Sequence, residues 1–528
     1  MGQYLNIGND GFRTIRKGFY VDKTGLISFI NGTLGTKRKL TCVSRPRRFG
    51  KSFAAQMLCA YYDKSCDSRE LFEGLAIAEE PSFERYLNKY DVICLDITWF
   101  VSTAGDDLSN IVTDIQKAVI EELAAMYSDV IGQEEISLPK VLTKISGSTG
   151  NKFIVIIDEW DALFREAKSD ENQQRQYIHL LRALFKSSLT DRTIEAAYMT
   201  GILPIKKYST QSAMTDFIEY TMLDQSKLAE YVGFTEQEVR KLCDSFCMDF
   251  QKMKMWYDGY SFPEILSVYN PNSVAKALEK RKVGSYWTQT ETYEALRIYI
   301  DMDMDGVREA ILKMIGGARC FIDAGAFQND MTSIRSRDDV LTLLVHLGYL
   351  SYDEEGQSVR IPNEEVRMEF VRAVKNSKRA DLVDLIRESD CLLQYTLERN
   401  AQEVAAAIER AHSAQTAPFF YNNEQALRSV IRLAYISSIG EFQEIQELPS
   451  GTGYADIVYL PKKGSMMPVM LIELKWNRTA EGAISQIKER NYPQVLESYG
   501  SDILLVGISY DEKTKKHECV IEEYEKRA

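Results

Sequence analysis

The chain has 528 residues, 45% of them hydrophobic and 27% charged, with a formal net charge of −13; that length exceeds a single core and implies roughly two to four domains. An acidic balance confines any nucleic-acid site to a local basic patch, and without a signal-peptide pattern or a long apolar run the chain reads as cytoplasmic, with no membrane partner. Nine cysteines lack a paired Cys-x-x-Cys framework, and His179, His346, His412 and His517 stand apart, which sets aside a histidine-rich metal site and favours buried free thiols over zinc for the Cys243/Cys247 pair.

In chain order the first informative stretch is 39–62. Leu40 to Val43 reads as a short strand, a turn follows, and Gly50-Lys51-Ser52 opens an amphipathic helix with Phe53, Met57, Leu58 and Tyr61. Strand, turn, Gly-Lys-Ser and helix is the context of a phosphate-binding loop. Backbone N–H groups at the helix start cradle phosphates, Lys51 reaches the β- and γ-phosphates, and the Ser52 hydroxyl holds Mg²⁺. Arg48, Phe49, Gly50, Lys51 and Ser52 are therefore the expected nucleotide loop. The first glycine of the usual pattern is replaced by Arg45, so by the pattern alone a chance Gly-Lys-Ser stays open.

Phe153 to Ile157 is a continuous apolar run, as in a strand buried on both faces of a parallel sheet. It ends in Asp158 and Glu159 at the carboxyl edge, where open α/β sheets bind ligands. Asp158 is expected to coordinate Mg²⁺ and Glu159 to orient or activate the attacking water. Together with Gly50-Lys51-Ser52 these acids favour an ATP site over a capping pair. Asp91 to Thr98 and Thr193 to Thr200 read as strands of the same sheet. Thr200 could sense the γ-phosphate, although a simple Thr-Gly turn is preferred.

Residues 224–380 show mostly amphipathic helical patterns, a lid able to move with nucleotide state. The aromatic residues around Asp258-Gly259 read as a packed turn. Leu341 to Tyr352 reads as a helix leading to a small hairpin, winged-helix-like.

From 381 the pattern restarts with helices over Asp381 to Arg410 and Asn422 to Tyr435, then a strand over Glu441 to Leu448. In 454–475 one strand presents Asp456, a basic turn follows, and a second strand ends in Glu473-Leu474-Lys475. Alternation puts Val469, Leu471, Glu473 and Lys475 on one face and Met470, Ile472 and Leu474 on a buried one. Two acids and a lysine are the parts of metal-assisted phosphodiester hydrolysis: carboxylates for a hard cation such as Mg²⁺, lysine for the water or the developing charge. Taken alone, a solvated charged hairpin edge is the better reading. Glu424, in register with Leu427, Ile431 and Ala434, is by itself a helix cap. A helix from Ala480 carries Gln486, and Asp502 to Ile508 is a last strand.

The segments Tyr20-Val21-Asp22-Lys23-Thr24, Arg45-Pro46-Arg47-Arg48-Phe49-Gly50-Lys51-Ser52, Ile157-Asp158-Glu159-Trp160-Asp161 and Thr200-Gly201-Ile202-Leu203 resemble the AAA-ATPase-like family, whose bacterial members commonly carry a C-terminal PD-(D/E)XK nuclease-like domain. Trp256 to Phe262 and Tyr269 to Val274 resemble two further signatures of it. In that family the loop starting at Arg45 is itself typical. The resemblance implies an ATPase of the additional-strand type, with Asp158 on Mg²⁺ and Glu159 catalytic. In the nuclease-like part it places Asp456, Glu473 and Lys475 on the catalytic motif and Glu424 on the helical acid, making Glu424, Asp456 and Glu473 the metal ligands. Gln486 and Tyr492 fall on the trailing helix signature. Two stretches depart: Thr210 to Thr215 stands where the family often has an Asn-rich segment, and Gly453-Tyr454-Ala455-Asp456 lacks the arginine often found before the acid.

The expected fold class is α/β. A P-loop NTPase parallel sheet occupies 1–223, a helical lid or winged-helix-like region 224–380, and a PD-(D/E)XK-like α/β domain 381–528. The expected function is ATP binding and hydrolysis coupled to a Mg²⁺-dependent nuclease, with nucleic acid as partner, DNA ahead of RNA; a homo-oligomer is compatible with ATPases of this type. The competing reading is a nucleotide-driven switch or scaffold whose nuclease-like domain only binds nucleic acid or a partner protein.

Overall fold

The computed structural model describes residues 2–105, 107–132, 135–166, 170–186, 188–205, 216–224, 228–287, 292–302, 304–327, 334, 336–377, 379–415, 423–450, 453–462, 465, 467–490, 492, 496 and 502–524. The stretch 210–215 lies outside them. The chain forms two compact units, Met1–Tyr286 with Phe321–Glu365, and Trp287–Cys320 with Val366–Ala528. The helical middle, 224–380, is thus shared between the units.

In the first unit, five parallel strands form one sheet: β1 (Leu40–Ser44), β2 (Asp91–Asp96), β3 (Phe153–Asp158), β4 (Ile194–Gly201) and β5 (Ile218–Tyr220), in the order β2-β3-β4-β1-β5. Strand β4 sits between β1 and β3, the additional-strand arrangement. Its register aligns Gly201 with Ser44 on one side and Met199 with Ile157 on the other. The loop after β1 and the acids after β3 therefore emerge at one carboxyl edge. Every residue of β1 and β3 is buried, which is why β3 reads as an unbroken apolar run up to Asp158. Helices Ile111–Met126, Leu138–Thr149 and Glu171–Phe185 supply Ile115, Val119, Ile145 and Leu181 to the core that holds Val155 and Ile157. Helix α1 (Asp10–Lys17) packs on α2 (Lys51–Tyr62), which in turn lies on β3 and β4.

Strand β2 stops two residues short of the expected Thr98 because Asp96 caps a helix, accepting the N–H of Thr98 at 2.9 Å and of Trp99 at 3.3 Å. This is N-cap chemistry competing with strand continuation. The expected helix and hairpin near 341–360 are helix Arg337–His346 and the antiparallel pair Ser351–Asp353 with Ser358–Arg360. Of the two free thiols at 243 and 247, Cys243 is buried and Cys247 exposed, since Cys247 ends its helix in the left-handed region at φ 55°.

His346 carries a pH prediction. It is 1% exposed, stacks on Phe327 with ring centroids 5.7 Å apart, and neither ring nitrogen has a hydrogen-bond partner among the described residues. Burial pushes its pKa down to about 3. Below the unfolded value of about 6.5 the unfolded chain takes up a proton that the folded chain refuses, so stability falls with pH across that window, by roughly 2 kcal/mol at about pH 5. Thermal melts at neutral and mildly acid pH should therefore show a smaller acid loss in His346→Leu than in the wild type. Equal losses would put the acid sensitivity elsewhere.

The second unit holds a five-stranded sheet in sequential order: β6 (Phe442–Ser450), β7 (Gly453–Pro461), β8 (Val469–Trp476), β9 (Ile503–Asp511) and β10 (Lys516–Glu523). All neighbours are antiparallel except β8 and β9. Helices α3 (Ala380–Leu397), α4 (Ala401–Gln415) and α5 (Glu424–Ala434) cover one face, burying Leu392, Ile408, Leu427 and Ile431 against Met470, Ile472 and Leu474. Helix α6 (Ala480–Glu489) covers the other, with Ile484 and Ile487 against Val469 and Leu471. Strand β8 is buried from Val469 to Lys475. The solvated hairpin edge is therefore ruled out, because α6 lies over the face that alternation alone would leave to water. Neither β5 nor β10 was expected from the pattern. No helix among the described residues is long and apolar enough to cross a membrane.

Candidate functional sites

The loop between β1 and α2 turns through two residues in the left-handed region, Arg48 at φ 69° and Gly50 at φ 92°. The second is where glycine carries no steric cost, and it releases the chain into the helix at Lys51. Arg45 turns away from this loop. It is fully buried, its guanidinium lies 4.7 Å from the Phe262 ring centroid and donates to Ala229 O at 3.2 Å, and burial lowers its pKa to about 9. The residue that breaks the glycine pattern is thus an anchor of the loop, tied also through its backbone N–H to Gly201 O at 2.9 Å.

Lys51 is 4% exposed, donates to Pro46 O at 3.1 Å and pairs with Glu159 Oε1 at 3.1 Å. Glu159 adopts φ 49° and also pairs with Arg165 Nη2 at 2.6 Å. Burial alone raises the Glu159 carboxyl, but the charges of Lys51 and Arg165 overcome it and hold the pKa below its ordinary value. Asp158 behaves oppositely. Burial pushes it up to about 6, against a hydrogen bond from Ser52 and aided by the charge of Glu159. The expected loop residues and both acids are thus gathered at one edge of the sheet.

Arg165 and Asp161 went unnoticed as site residues. On helix Ala162–Glu166, Arg165 bridges Glu159 to the buried Asp161, whose carboxylate accepts Arg165 Nε at 3.1 Å and the N–H of Leu203 at 2.9 Å. Gly201 makes room for this: a Cβ there would lie 2.5 Å from Asp161 Oδ1 and 2.7 Å from Trp160 Cδ1. Thr200 lies within strand β4, where the sequence alone favours a simple Thr-Gly turn; it is buried and its hydroxyl has no hydrogen-bond partner among the described residues.

A cavity of about 680 Å³ opens on this loop, lined by residues 47–54 and Glu159 and walled by Phe19, Tyr20, Tyr231 and Phe234. The volume is that of a small-molecule or cofactor site. Tyr20, Val21 and Lys23 belong to the first quoted segment, and Pro271 and Asn272 of a later one also reach the wall. The residues round Asp258 instead form the packed turn expected of them: Asp258 Oδ1 accepts Gly259 N–H at 2.6 Å, Oδ2 accepts the Ser267 hydroxyl at 2.9 Å, and Tyr257 and Tyr260 are buried.

In the second unit, β7 and β8 pair Val458 with Leu471 and Ile457 with Ile472. Continued along the register, Asp456 comes opposite Glu473. All three polar residues are buried, Asp456 at 6%, Glu473 at 2% and Lys475 at 7% exposure. Asp456 Oδ2 accepts Leu474 N–H at 2.8 Å; Glu473 Oε1 accepts Lys475 Nζ at 3.1 Å and the Gln486 amide from α6. Glu473 Oε2 is buried with no hydrogen-bond partner among the described residues. Burial, then the charge of Asp456, push the Glu473 pKa up to about 7. Asp456, Glu473, Lys475 and Gln486 are thus brought together as expected.

Glu424 is not. It is the exposed first residue of α5 and makes no ion pair or hydrogen bond among the described residues, which is the helix-start position that residue chemistry alone favoured. One turn on, Arg428 pairs with Asp456 Oδ1 instead. Among the described residues no group of three or more His, Cys, Asp or Glu side chains is placed to hold a metal; the available carboxylates are the two of Asp456 and Glu473. Tyr492 is buried, its hydroxyl accepting Arg490 Nη1 at 3.1 Å.

Residues 6–211 match the family model described as a predicted AAA-ATPase, and residues 422–519 match one for the PD-(D/E)XK nuclease superfamily. An uncharacterized protein in the vnfD 5′ region of Azotobacter chroococcum mcd 1 is 21% identical over 532 residues, covering 97% of this chain and 97% of its own. Among solved structures, the ORC2 protein of Aeropyrum pernix in ADPNP–ADP complexes matches over 68% of this chain and 97% of its own, at 11% identity and a TM-score of 0.30. A DNA replication initiation factor matches over 76% and 98%, at 10% identity and a TM-score of 0.23.

Proposed function

We propose, from a chain that joins a predicted AAA-ATPase domain to a PD-(D/E)XK nuclease-superfamily domain, that the first unit hydrolyses ATP and the second cuts nucleic-acid phosphodiester bonds with Mg²⁺. The observation that carries the nuclease is the buried cluster at Asp456 and Glu473, with the Glu473 Oε2 atom left without a partner. A buried carboxylate oxygen without a partner is costly, and a hard cation satisfies it. Mg²⁺ needs only one or two carboxylates, completing its shell with water and phosphate oxygens, so Asp456 and Glu473 fit it without Glu424. When bound, that ion supplies polarisation of the phosphate and a more acidic water. Lys475 donates to the charge that develops on the phosphate. Gln486 and the Leu474 N–H fix the two carboxylates in place.

In the first unit Lys51 and the N–H groups at the start of α2 hold the phosphates of ATP, Ser52 and Asp158 are the groups for its Mg²⁺, and Glu159 orients the attacking water. The aromatic wall of the cavity supports the same reading, since it offers the nucleobase an apolar surface. The setting proposed is the bacterial cytoplasm.

One observation favours the switch reading, in which the second unit only binds: Arg428 already occupies Asp456. Incubation with plasmid, single-stranded DNA and RNA, with Mg²⁺ or Mn²⁺ and with or without ATP, separates the two. Metal-dependent cleavage whose rate ATP alters is the expected result, with DNA cut ahead of RNA. Intact substrates under every condition would leave the switch.

A further inference from the structure

Both oxygens of Asp456 are engaged, in different ways. Oδ2 accepts the Leu474 N–H at 2.8 Å, a contact built into the strand pair. Oδ1 accepts Arg428 Nη2 from helix α5. The two cations of the cluster also differ. Lys475 is 9% exposed at its side chain and held by Glu473 Oε1 at 3.1 Å and Leu474 O at 3.0 Å. Arg428 is 23% exposed at its side chain. The lysine is built into the floor, whereas the arginine reaches in from the rim and has a route back to water.

Charge balance gives that difference a consequence. Among the four groups in direct contact, with both acids ionised, the two carboxylates, Lys475 and Arg428 sum to zero. A divalent cation added to that set leaves an excess of two positive charges where burial penalises uncompensated charge. If the arginine leaves and one phosphodiester anion enters, the sum returns to zero. The arginine thus neutralises the site only while the cation and the phosphate are absent.

We infer that Arg428 is a built-in competitor of the divalent cation: it occupies Asp456 Oδ1, and metal binding requires its release. This rests on the metal-site reading of Asp456 and Glu473, and the test separates the two. Mn²⁺ binding to the full chain without nucleotide is followed by electron paramagnetic resonance in the wild type, Arg428→Gln, Arg428→Lys, Asp456→Asn and the Arg428→Gln/Asp456→Asn double variant. The component lost in Asp456→Asn is the site in question. Arg428→Gln is expected to tighten that component about tenfold, the worth of one charge-assisted hydrogen bond. Arg428→Lys tightens it less, since an ammonium lacks the guanidinium fork. In the Asp456→Asn background the glutamine changes nothing. An Asp456-dependent component that is unchanged or weaker in Arg428→Gln overturns the competition while leaving the metal site standing. If Arg428→Gln does not fold by circular dichroism, Arg428→Lys carries the comparison alone. Absence of any Asp456-dependent Mn²⁺ binding in every background overturns the metal site together with the competitor.

Discussion

Lys51→Ala is expected to lower ATP turnover by at least about 10²-fold, the usual cost of removing one preorganised charge from a reacting phosphate. The structure gives two reasons for so large an effect. Lys51 stands at the first position of α2 beside a cavity of about 680 Å³, with its ammonium held at the loop by Pro46 O and Glu159 Oε1, both at 3.1 Å. Under the proposed function a nucleotide's phosphates would take the place of those partners at an ammonium already held at the loop. The substitution also removes the Lys51 ion pair of Glu159 and leaves its pair with Arg165, which alters the acid expected to orient water. Folding should survive, because alanine is the best helix former and the apolar face of α2 is untouched. Phosphate release assays, with binding of a fluorescent ATP analogue as the second readout, check it. Lys51→Arg should not restore turnover, since a planar guanidinium does not substitute for a compact ammonium at a phosphate. Undiminished turnover in Lys51→Ala would refute the phosphate-loop assignment.

Lys475→Ala and Asp456→Asn are each expected to abolish metal-dependent cleavage, by about 10³-fold or more, while ATP turnover stays at the wild-type level. Asp456 is tied by Leu474 N–H at 2.8 Å and Lys475 by Glu473 Oε1 at 3.1 Å, so neither role can pass to a mobile neighbour. Lys475→Ala also leaves the buried Glu473 without its cation, which raises the cost of ionising a carboxyl that burial already pushes up to about 7. Asp456→Asn keeps the shape and the acceptor for Leu474 N–H but loses the charge, and so tests the ligand role without opening a cavity. Cleavage of plasmid DNA by both variants, with the ATPase as internal control, is the measurement. Persistence of cutting in both would place the chemistry elsewhere.

Much of the fold was legible because its signals are local. The strand–turn–helix at 40–62, the apolar run ending at Asp158 and the hairpin at 454–475 each show their pattern within a few residues, where burial on both faces or alternation dictates residue type. Elements that lack such a pattern escaped. Strand β5 has three residues, and Asp96 ended β2 early through a cap that an apolar run does not advertise. Glu424 shows the opposite failure. The family resemblance placed it among the metal ligands, but at the first position of α5 it stays exposed, the capping position that its own residue chemistry favoured, while the basic residue one turn later reaches Asp456.

By itself the sequence determined which chemistries were present: a Gly-Lys-Ser loop, paired acids after a buried strand, and an Asp…Glu-x-Lys pair on adjoining strands. Each is set by neighbours along the chain, and short-range sterics and burial suffice to write it. The tertiary structure alone decided what surrounds them. Phe19 and Tyr231, far apart in sequence, wall one cavity; Arg45 leaves the phosphate loop for the Phe262 ring; helix α6 covers the charged face of β8; and Arg428 meets Asp456 across two elements. Such contacts depend on how whole helices pack on a sheet, a sum over many distant apolar contacts that no short stretch of residues encodes.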